Sequence, residues 1–493
     1  MKKRSPSRFL PCALCAQFLL AAWPATAQPL WPEPRLEPTR SLVARPTPGF
    51  HAPSATHCAR PVGTREVPGR AHAQHGGDPR LEESAKPSAD ARLERRSRGE
   101  AAASAPALAA APSAVPAPPA GARAAAPVAP QAMHDGIAPH QPSHGQWTAP
   151  PVVTAGVVDD NADFSAYLAF RDRTQVHHRP RDVRERHLLE VKDRRGRPVG
   201  DAEVSVQGTS GHAMWARTDA GGRAWLHPDA FDPAGSMHYD VAVRKDGRET
   251  AARLARGQKS AVQVVLDAAT APARARLDLV FLVDATGSMG DEIDKLKATL
   301  RTITAEVASL PSRPDICLAL VAYRDRGDAF LLRSHDFTND VGAFLQHALY
   351  PLRAGGGGDY PEAMNEALHE TVHQLSWRGD GATRLVILLA DAPPHLDYGA
   401  PQYDDDMLAA LGKGIKVFGV GASGLDRQGE FIQRQIAQYT GGKFVFLTYA
   451  DPHRPASGPG RETVHDVKNY SVDTLDRLVV RLVTEELAKG APR

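Results

Sequence analysis

The sequence has few cysteines, few aromatic residues and no excess of charge of one sign. Its four cysteines do not form the two closely spaced pairs of a zinc site and are too few for a disulfide framework, which argues against a zinc module or a cystine-stapled mini-domain. Lys and Arg total 59 against 57 Asp and Glu, a net charge of +2. Nothing in this balance favours general binding to nucleic acid or to an acidic membrane surface.

Long hydrophobic runs are also missing, since no stretch beyond the N-terminus reaches the ~18 apolar residues of a membrane span. At the N-terminus, basic residues at 2–4 precede an apolar run at 9–23, and Pro-Ala-Thr-Ala follows at 24–27. This order is typical of a secretory signal peptide, with an uncleaved anchor as the alternative. We therefore expect residues 1–27 to be removed, leaving a secreted or periplasmic cell-envelope protein without a membrane span.

Residues 28–150 are rich in Pro, Ala, Arg, Ser and His and have almost no β-branched or aromatic clusters. Such a segment buries too little apolar surface to offset its ordering entropy, so it is predicted to be a disordered stalk. Cys58 lies in this stalk, whereas Cys317 lies in an apolar run. We expect Cys317 to be a small core residue, because a bond to Cys58 requires the stalk to reach the interior.

Residues 151–270 begin with a predicted short helix and continue with short alternating runs separated by turns. This spacing favours a small β-sandwich, with strands at 188–191, 202–206, 214–217, 224–226, 239–243 and 262–266. The sequence VKDRRGRPVGDAEVSVQ, followed by ARTDAGGRAWL, resembles the transthyretin-like or carboxypeptidase-regulatory-like domain of exported bacterial proteins. The resemblance implies a spacer or positioning role.

Residues 271–489 alternate continuous apolar runs with amphipathic stretches. Runs of this kind are typical of strands buried on both faces, and they lie at 277–283, 316–322, 385–390, 415–420 and 444–447. The amphipathic stretches have helical spacing and lie at 290–310, 341–350, 361–375, 405–411, 428–439 and 472–487. The alternation predicts an α/β domain with a doubly wound, mostly parallel sheet, whose ligands bind at the carboxyl ends of the strands.

Oxygen-bearing side chains follow two of these runs. Asp284 ends the first run, and Thr286 and Ser288 follow at alternate positions on a tight turn. Asp391 ends the run at 385–390, and a glycine-rich loop carries Asp359. If the two strands are neighbours, these groups share one crevice, and hard oxygen ligands suit Mg²⁺ or Mn²⁺ rather than Zn²⁺. An open coordination position can accept a carboxylate from a partner.

The motifs DATGSM after LVFLV, GGGGDYPEA and LLADAPPH resemble a von Willebrand factor type A domain with a metal-ion-dependent adhesion site, over about residues 276–489. The resemblance implies that Thr286 and Ser288 bind the metal directly, and that Asp284 and Asp391 hold it directly or through water. Many family members have Thr where this chain has Gly358. The variant with GGGD resembles the subgroup of hemicentin-type and α-kinase-linked A domains, in which Asp359 is expected to act as ligand or to hold a bound water.

These patterns predict an exported, non-enzymatic protein that uses Mg²⁺ or Mn²⁺ to bind an acidic group on a protein partner. A structural cell-envelope scaffold, in which the metal only stabilises loops, is the alternative. A serine hydrolase using Ser288, Asp391 and His395 is less favoured, because a nucleophile elbow requires Gly where Thr286 stands. Helix capping by Asp284 and Thr286 is the alternative to a metal site.

Two further motifs have simpler interpretations. Asp404, Asp405 and Asp406 precede an amphipathic stretch and predict a helix start, where negative charge is favourable; a second metal site is the alternative. An Arg-Gly-Asp tripeptide at 326–328 is interpreted as loop residues without an adhesive role.

Overall fold

The computed structural model describes residues 58, 63–69, 152–268, 274–358, 360–379 and 381–490. The predicted signal peptide and most of the predicted stalk lie outside these residues. Asp359, predicted to assist at the metal, also lies outside them.

The strands of the described residues fall into one large sheet and two small ones. In chain order they are β1 (Thr64–Val67), β2 (Thr154–Val158), β3 (His187–Lys192), β4 (Glu203–Gly208), β5 (Ala213–Arg217), β6 (Arg223–Leu226), β7 (His238–Lys245), β8 (Arg248–Ala255), β9 (Val262–Val265), β10 (Arg276–Asp284), β11 (Asp315–Tyr323), β12 (Leu332–Thr338), β13 (Ala382–Ala390), β14 (Ile415–Gly421), β15 (Phe444–Thr448) and β16 (Val472–Thr474).

The large sheet has nine strands in the order β1-β12-β11-β10-β13-β14-β15-β2-β16. Its five central strands, β11, β10, β13, β14 and β15, pair in parallel, and the outer strands pair antiparallel. The central strands are buried along nearly their whole length, as expected for continuous apolar runs covered on both faces. The prediction of an α/β domain around a large sheet is confirmed.

Two outer strands come from segments that were predicted to lie elsewhere. Thr64–Val67, inside the predicted stalk, pairs with β12, and Thr154–Val158, assigned to the small domain, pairs with β15 and β16. Each gives hydrogen-bond partners to a sheet edge that is otherwise left open. The expectation that residues 28–150 lack regular structure is therefore wrong for residues 64–67.

Helices cover the sheet between its strands. Their bounds are α1 (Phe164–Arg173), α2 (Pro228–Phe231), α3 (Gly290–Ala308), α4 (Val341–Ala343), α5 (Met364–His373), α6 (Tyr403–Lys413), α7 (Arg427–Thr440) and α8 (Leu475–Ala488). The three aspartates from Asp404 lie in the first turn of α6, so the predicted helix start is confirmed. Among the described residues, no helix combines the length and apolar character needed to cross a membrane.

Alternate residues of β10 pack into two separate apolar clusters. Leu279, Phe281 and Val283 share a cluster with apolar residues of α3 and α8. Val280 and Leu282 share the other with residues of α5, α6 and α7. Burial on both faces fixes the register of this strand, and with it the position of the residues at its carboxyl end.

Residues 187–265 form the two small sheets, with strand orders β6-β3-β9 and β5-β4-β7-β8. Six of these strands correspond to the predicted apolar runs. The seventh, β8, has no apolar run because its sequence, RETAARLA, is largely charged or Ala. Apolar residues of both small sheets belong to the same cluster as α5, α6 and α7, so these sheets pack against one face of the large sheet.

Cys58 and Cys317 form a disulfide, with Cα atoms 6.1 Å apart and a sequence separation of 259. Cys317 lies on β11 and is fully buried, and Cys58 is 6% exposed. The prediction that Cys317 is an unbonded core residue is wrong. The pairing of β1 with β12 places residues 64–67, close in sequence to Cys58, at the edge of the large sheet, so this part of the chain does reach the domain core.

A buried ion pair links the small sheets to the large one. Asp201, just before β4, accepts hydrogen bonds from Arg384 Nη1 at 2.9 Å and Nη2 at 3.1 Å, and from Arg217 Nη1 at 3.1 Å. Burial raises the pKa of Asp201, but the charges of Arg384 and Arg217 outweigh burial and lower it to about 2. The carboxylate is therefore ionised at neutral pH.

We predict that Asp201→Asn lowers the free energy of unfolding by about 3 kcal/mol at pH 7, because it leaves Arg384 buried without its anion. Denaturant titration measures this loss. The folded-state pKa of Asp201 is depressed, so its contribution is complete above about pH 4 and is lost as pH falls toward 2, where wild type and variant should converge.

Asp240→Asn is the matched control for this substitution, since Asp240 is exposed and its oxygen lies 3.6 Å from Arg253. Its effect should be about 0.5 kcal/mol or less. Equal losses in the two variants at pH 7 contradict the role assigned to Asp201.

Candidate metal centre

Asp284 and Asp391 lie side by side at the carboxyl ends of neighbouring strands. The parallel register of β10 and β13 aligns Val283 with Leu389. Asp284 ends β10 and Asp391 directly follows β13, so their carboxyl groups lie at the same edge of the sheet. Both are buried, with 0% and 4% exposure. The structure thus brings together the two aspartates selected from the sequence.

The loop after β10 holds the two predicted hydroxyl groups beside Asp284. The backbone N–H and Oγ1 of Thr286 donate to Asp284 Oδ1 at 2.9 and 2.7 Å. Ser288 Oγ lies 3.0 Å from Thr286 Oγ1. The side chain of Thr286 makes no capping hydrogen bond, and neither aspartate nor threonine caps α3, whose N-cap residue is Met289. The arrangement therefore does not support the capping alternative.

Burial dominates the electrostatics of Asp284. It raises the pKa of this carboxyl to about 6, although the hydrogen bonds from Thr286 oppose the rise. Asp284 Oδ2 is buried and has no hydrogen-bond partner among the described residues. An ionised carboxylate in this position therefore has an oxygen that requires a cation or a donor.

The glycine-rich loop lies against the loop after β10. Gly355 N–H donates to the carbonyl of Ala285 at 3.0 Å, and Gly287 N–H donates to the carbonyl of Gly356 at 3.0 Å. Gly358, where the family resemblance leads one to expect Thr, is exposed. Because Asp359 lies outside the described residues, its role as a ligand stays a prediction.

Gly357 is the point of closest approach in this loop. Its φ is +66°, and a Cβ atom there would lie 2.6 Å from Glu362 Oε1 and 3.0 Å from the Cβ of Thr286. A side chain at this position is therefore excluded both by the left-handed backbone and by its neighbours. The same distances show that Glu362 approaches Thr286.

Glu362 is a buried acid that the sequence interpretation did not assign to the site. Its N–H donates to Pro393 and its carbonyl accepts from His395 N–H, which ties it to the loop after β13. Burial, reinforced by the negative charges of Asp284, Asp325 and Asp391, raises the pKa of Glu362 to about 10. Neither of its carboxyl oxygens has a hydrogen-bond partner in the described part of the chain. Its place in the sequence GGGGDYPEA, which also contains Asp359, was the feature of the sequence that could have assigned Glu362 to the site.

Asp325 and Asp328 lie at the margin of the same cluster. Asp328 Oδ2 accepts hydrogen bonds from the N–H groups of Gly357, at 2.5 Å, and Asp325, at 3.0 Å. Asp328 is the last residue of the Arg-Gly-Asp tripeptide, and its hydrogen bond from Gly357 holds the glycine-rich loop in place. Its neighbour Arg326 forms an ion pair with Glu366 at 2.8 Å.

The geometry does not support a Ser288–His395 nucleophile pair. His395 Nε2 lies 3.3 Å from Asp325 Oδ2, and Nδ1 lies 3.3 Å from Asp397 Oδ1. Both ring nitrogens thus face carboxylates, whereas Ser288 Oγ faces Thr286.

The donor set fits a hard divalent cation. Carboxylate and hydroxyl oxygens from Asp284, Thr286, Ser288 and Asp391 meet in one crevice, and oxygen ligands without His or Cys suit Mg²⁺ or Mn²⁺. The buried Asp284 Oδ2 is an acceptor that such an ion satisfies.

Residues 278–448 match the family model of the von Willebrand factor type A domain, so the chain contains such a domain. Two sequence relatives are the alpha-protein kinase vwkA of Dictyostelium discoideum, 32% identical over 120 residues, and the putative ariadne-like RING finger protein R811 of Acanthamoeba polyphaga mimivirus, 32% identical over 122. The matches cover 24% and 25% of this chain and only 19% and 12% of those proteins. The similarity is confined to about one domain.

Two solved structures of the pilus adhesin SpaC from Lactobacillus rhamnosus GG, one of them in an open conformation, also overlap with the chain. Sequence identities are 16% and 15%, and the TM-score is 0.26 for both. The overlap covers 42% and 41% of this chain and 31% and 29% of the adhesin chains.

We predict that Gly357→Ala destabilises the protein by about 1–3 kcal/mol, because the substitution imposes a left-handed conformation on a non-glycine residue beside Glu362. Thermal unfolding in Mg²⁺ measures the effect. Gly358→Ala is the matched control, since its Cβ meets nothing within 4 Å and its φ is not left-handed. If the two variants melt together, the close packing of this loop against Glu362 is wrong.

Proposed function

We propose that this is an exported protein that binds a protein partner through a divalent cation, Mg²⁺ or Mn²⁺, held in a metal-ion-dependent adhesion site. Thr286 and Ser288 supply hydroxyl ligands, and Asp284 and Asp391 hold the ion directly or through water. Asp359 assists. When bound, the ion supplies a positive charge with an open position, which an acidic side chain of the partner occupies.

The contrast between this cluster and three other buried carboxylates, which pair with arginines, carries the proposal. Asp160 pairs with Arg434 at 2.7 Å, and Asp278 and Asp201 pair with buried arginines in the same way. In the described part of the chain, no Lys, Arg or His forms such a pair with Asp284 or Glu362. Buried charges require a counter-charge or a proton, and a divalent cation is the counter-charge that this donor set fits.

Glu362 adds a buried ionisable group to the crevice without being one of the proposed ligands. Its carboxyl lies close to Thr286 across Gly357, and its pKa is raised first by burial and then by the negative charges of neighbouring aspartates, among them Asp284 and Asp391. A cation at Asp284 lowers the cost of ionising Glu362, so the two groups reinforce binding of a divalent ion over a monovalent one.

Export is part of the proposal and has support beyond the N-terminal sequence. The Cys58–Cys317 disulfide is a type of bond that persists in oxidising compartments and is rare in the cytosol. The transthyretin-like resemblance within residues 151–270 implies a positioning role for this region, whose strands share an apolar cluster with helices of the domain that bears the site.

A structural scaffold, in which the same ion only stabilises the three loops, is the alternative. Both functions predict that metal raises stability, because any ion that binds only the folded state does so. They differ in whether the bound ion has a position open to a partner's carboxylate, so the test must report on that position.

We predict that the full-length protein binds Mn²⁺ in competition with Mg²⁺. Asp284→Asn should lower the affinity for Mn²⁺ about 10-fold or more, because it removes a negative charge from the residues that hold the ion. Free Mn²⁺ measured by electron paramagnetic resonance reports binding. Asp294→Asn is the control, since the Asp294 side chain is 84% exposed on α3. Binding that is unchanged in Asp284→Asn contradicts the proposed site.

Water-proton relaxation of the bound Mn²⁺ then separates the two functions. A peptide of repeated Asp should displace coordinated water and lower the relaxation enhancement, whereas the matched Asn peptide should not. An enhancement that the acidic peptide leaves unchanged, with Mn²⁺ still bound, favours the scaffold.

A further inference from the structure

Helix α5 carries two histidines one turn apart, neither of which belongs to the residues proposed to hold Mg²⁺ or Mn²⁺. The sequence His369-Glu370-Thr371-Val372-His373 has the H-E-x-x-H spacing, which places both imidazoles on one side of a helix. Their ring centroids are 4.4 Å apart. The side chains are 44% and 32% exposed, so a solute ion can reach them.

Asp406, from the first turn of α6, meets both rings. Its Oδ1 lies 3.0 Å from His369 Nδ1 and 2.9 Å from His373 Nε2. The aspartate is 3% exposed, and its Oδ2 is buried without a hydrogen-bond partner among the described residues. Three potential ligand atoms, one from each residue, all lie within 4.8 Å of one another.

We propose that His369, His373 and Asp406 form a second metal site, selective for a Zn²⁺-type transition metal. Two imidazole nitrogens and one carboxylate oxygen suit Zn²⁺, Co²⁺ or Ni²⁺ and disfavour Mg²⁺. Ligands about 2.1 Å from one ion at tetrahedral angles lie roughly 3.4 Å apart. The two separations between a histidine nitrogen and Asp406 Oδ1, 3.0 and 2.9 Å, therefore require shifts of about half an ångström. A fourth position faces solvent.

The site binds metal without the hydrolytic chemistry of the same motif in metalloproteases. There the Glu of H-E-x-x-H acts as general base beside the ion. Here Glu370 is buried, its Oε2 lies 2.9 Å from Arg65 Nη1, and its Oε1 accepts from Ser334 Oγ at 2.7 Å. These contacts hold the carboxylate at strands β1 and β12, so it is not available as a base. Because the two histidines lie on α5 and Asp406 lies on α6, the ion bridges these two helices.

A hydrogen-bonded cluster with no metal function is the competing interpretation, because each imidazole can donate a proton to Asp406 Oδ1. The two interpretations differ in their response to Zn²⁺. A metal replaces both protons and uses both nitrogens at once, so loss of either histidine abolishes tight binding, whereas a hydrogen-bonded cluster shows no metal affinity to lose.

The test is calorimetric titration of the full-length protein with Zn²⁺ in the presence of Mg²⁺, with Co²⁺ absorption as a second readout of coordination. Because the chain has 20 histidines, the comparison is between variants. We expect His373→Gln and His369→Gln each to lose one Zn²⁺ per chain, or about 100-fold in its affinity, with the ligand-field absorption of Co²⁺ lost in parallel.

Two controls keep the result specific. His347→Gln removes an exposed histidine on another helical segment and should bind Zn²⁺ like the wild type. Asp284→Asn should also leave this site intact, so its failure is distinguishable from failure of the adhesion site. Since both ligand histidines are partly exposed, circular dichroism should show folded variants. Zn²⁺ binding that is equal in wild type and His373→Gln, or no binding in the wild type, overturns the proposal.

Discussion

The crowding of buried carboxylates at one end of the central strands is the constraint on which the site depends. Parallel β10 and β13 end together, so Asp284 and Asp391 meet, and backbone hydrogen bonds to the loop after β13 hold Glu362 beside them. Elsewhere a buried acid such as Asp201 is matched by an arginine, here Arg384. Asp284 and Glu362 have no such arginine among the described residues, so burial and their like charges favour a proton or a bound cation at these groups. Under the proposed function, metal binding and the order of these loops are coupled, and Gly357 lets the glycine-rich loop pack closely against Glu362.

Much of this arrangement could be predicted, because strands buried on both faces leave a strong signal in the sequence. The apolar run that ends at Asp284 and the run that ends at Asp391 mark the carboxyl ends of β10 and β13, and the fold makes those ends adjacent. The alternate positions of Thr286 and Ser288 likewise anticipated their hydrogen-bonded geometry. Hydrophobic periodicity located the strands, and the rule that ligands bind at the carboxyl ends of strands in such sheets located the site. Neither step requires knowledge of contacts between distant parts of the chain.

The rest depended on long-range contacts that no local pattern reports. Strand β1 has four residues, TREV, in a polar segment, and only pairing with β12 makes it a strand. The Cys58–Cys317 disulfide follows from that pairing. The sequence around Glu362 does not indicate that this glutamate is buried, because its burial depends on contacts with the loop after β13. The histidines at 369 and 373 had a readable spacing, but their third ligand, Asp406, comes from another helix and is explained equally well as part of a helix start.

The most direct test of the central claim is a crystal structure of the protein grown in Mn²⁺, with anomalous diffraction measured at the manganese edge. The account predicts an anomalous peak about 2.0–2.3 Å from the hydroxyl oxygens of Thr286 and Ser288, with Asp284 and Asp391 in contact directly or through water. A fully occupied position at the histidines of α5 alone, with none at the ends of β10 and β13, would contradict it. So would a crevice in which a Lys or Arg side chain takes the place of the ion.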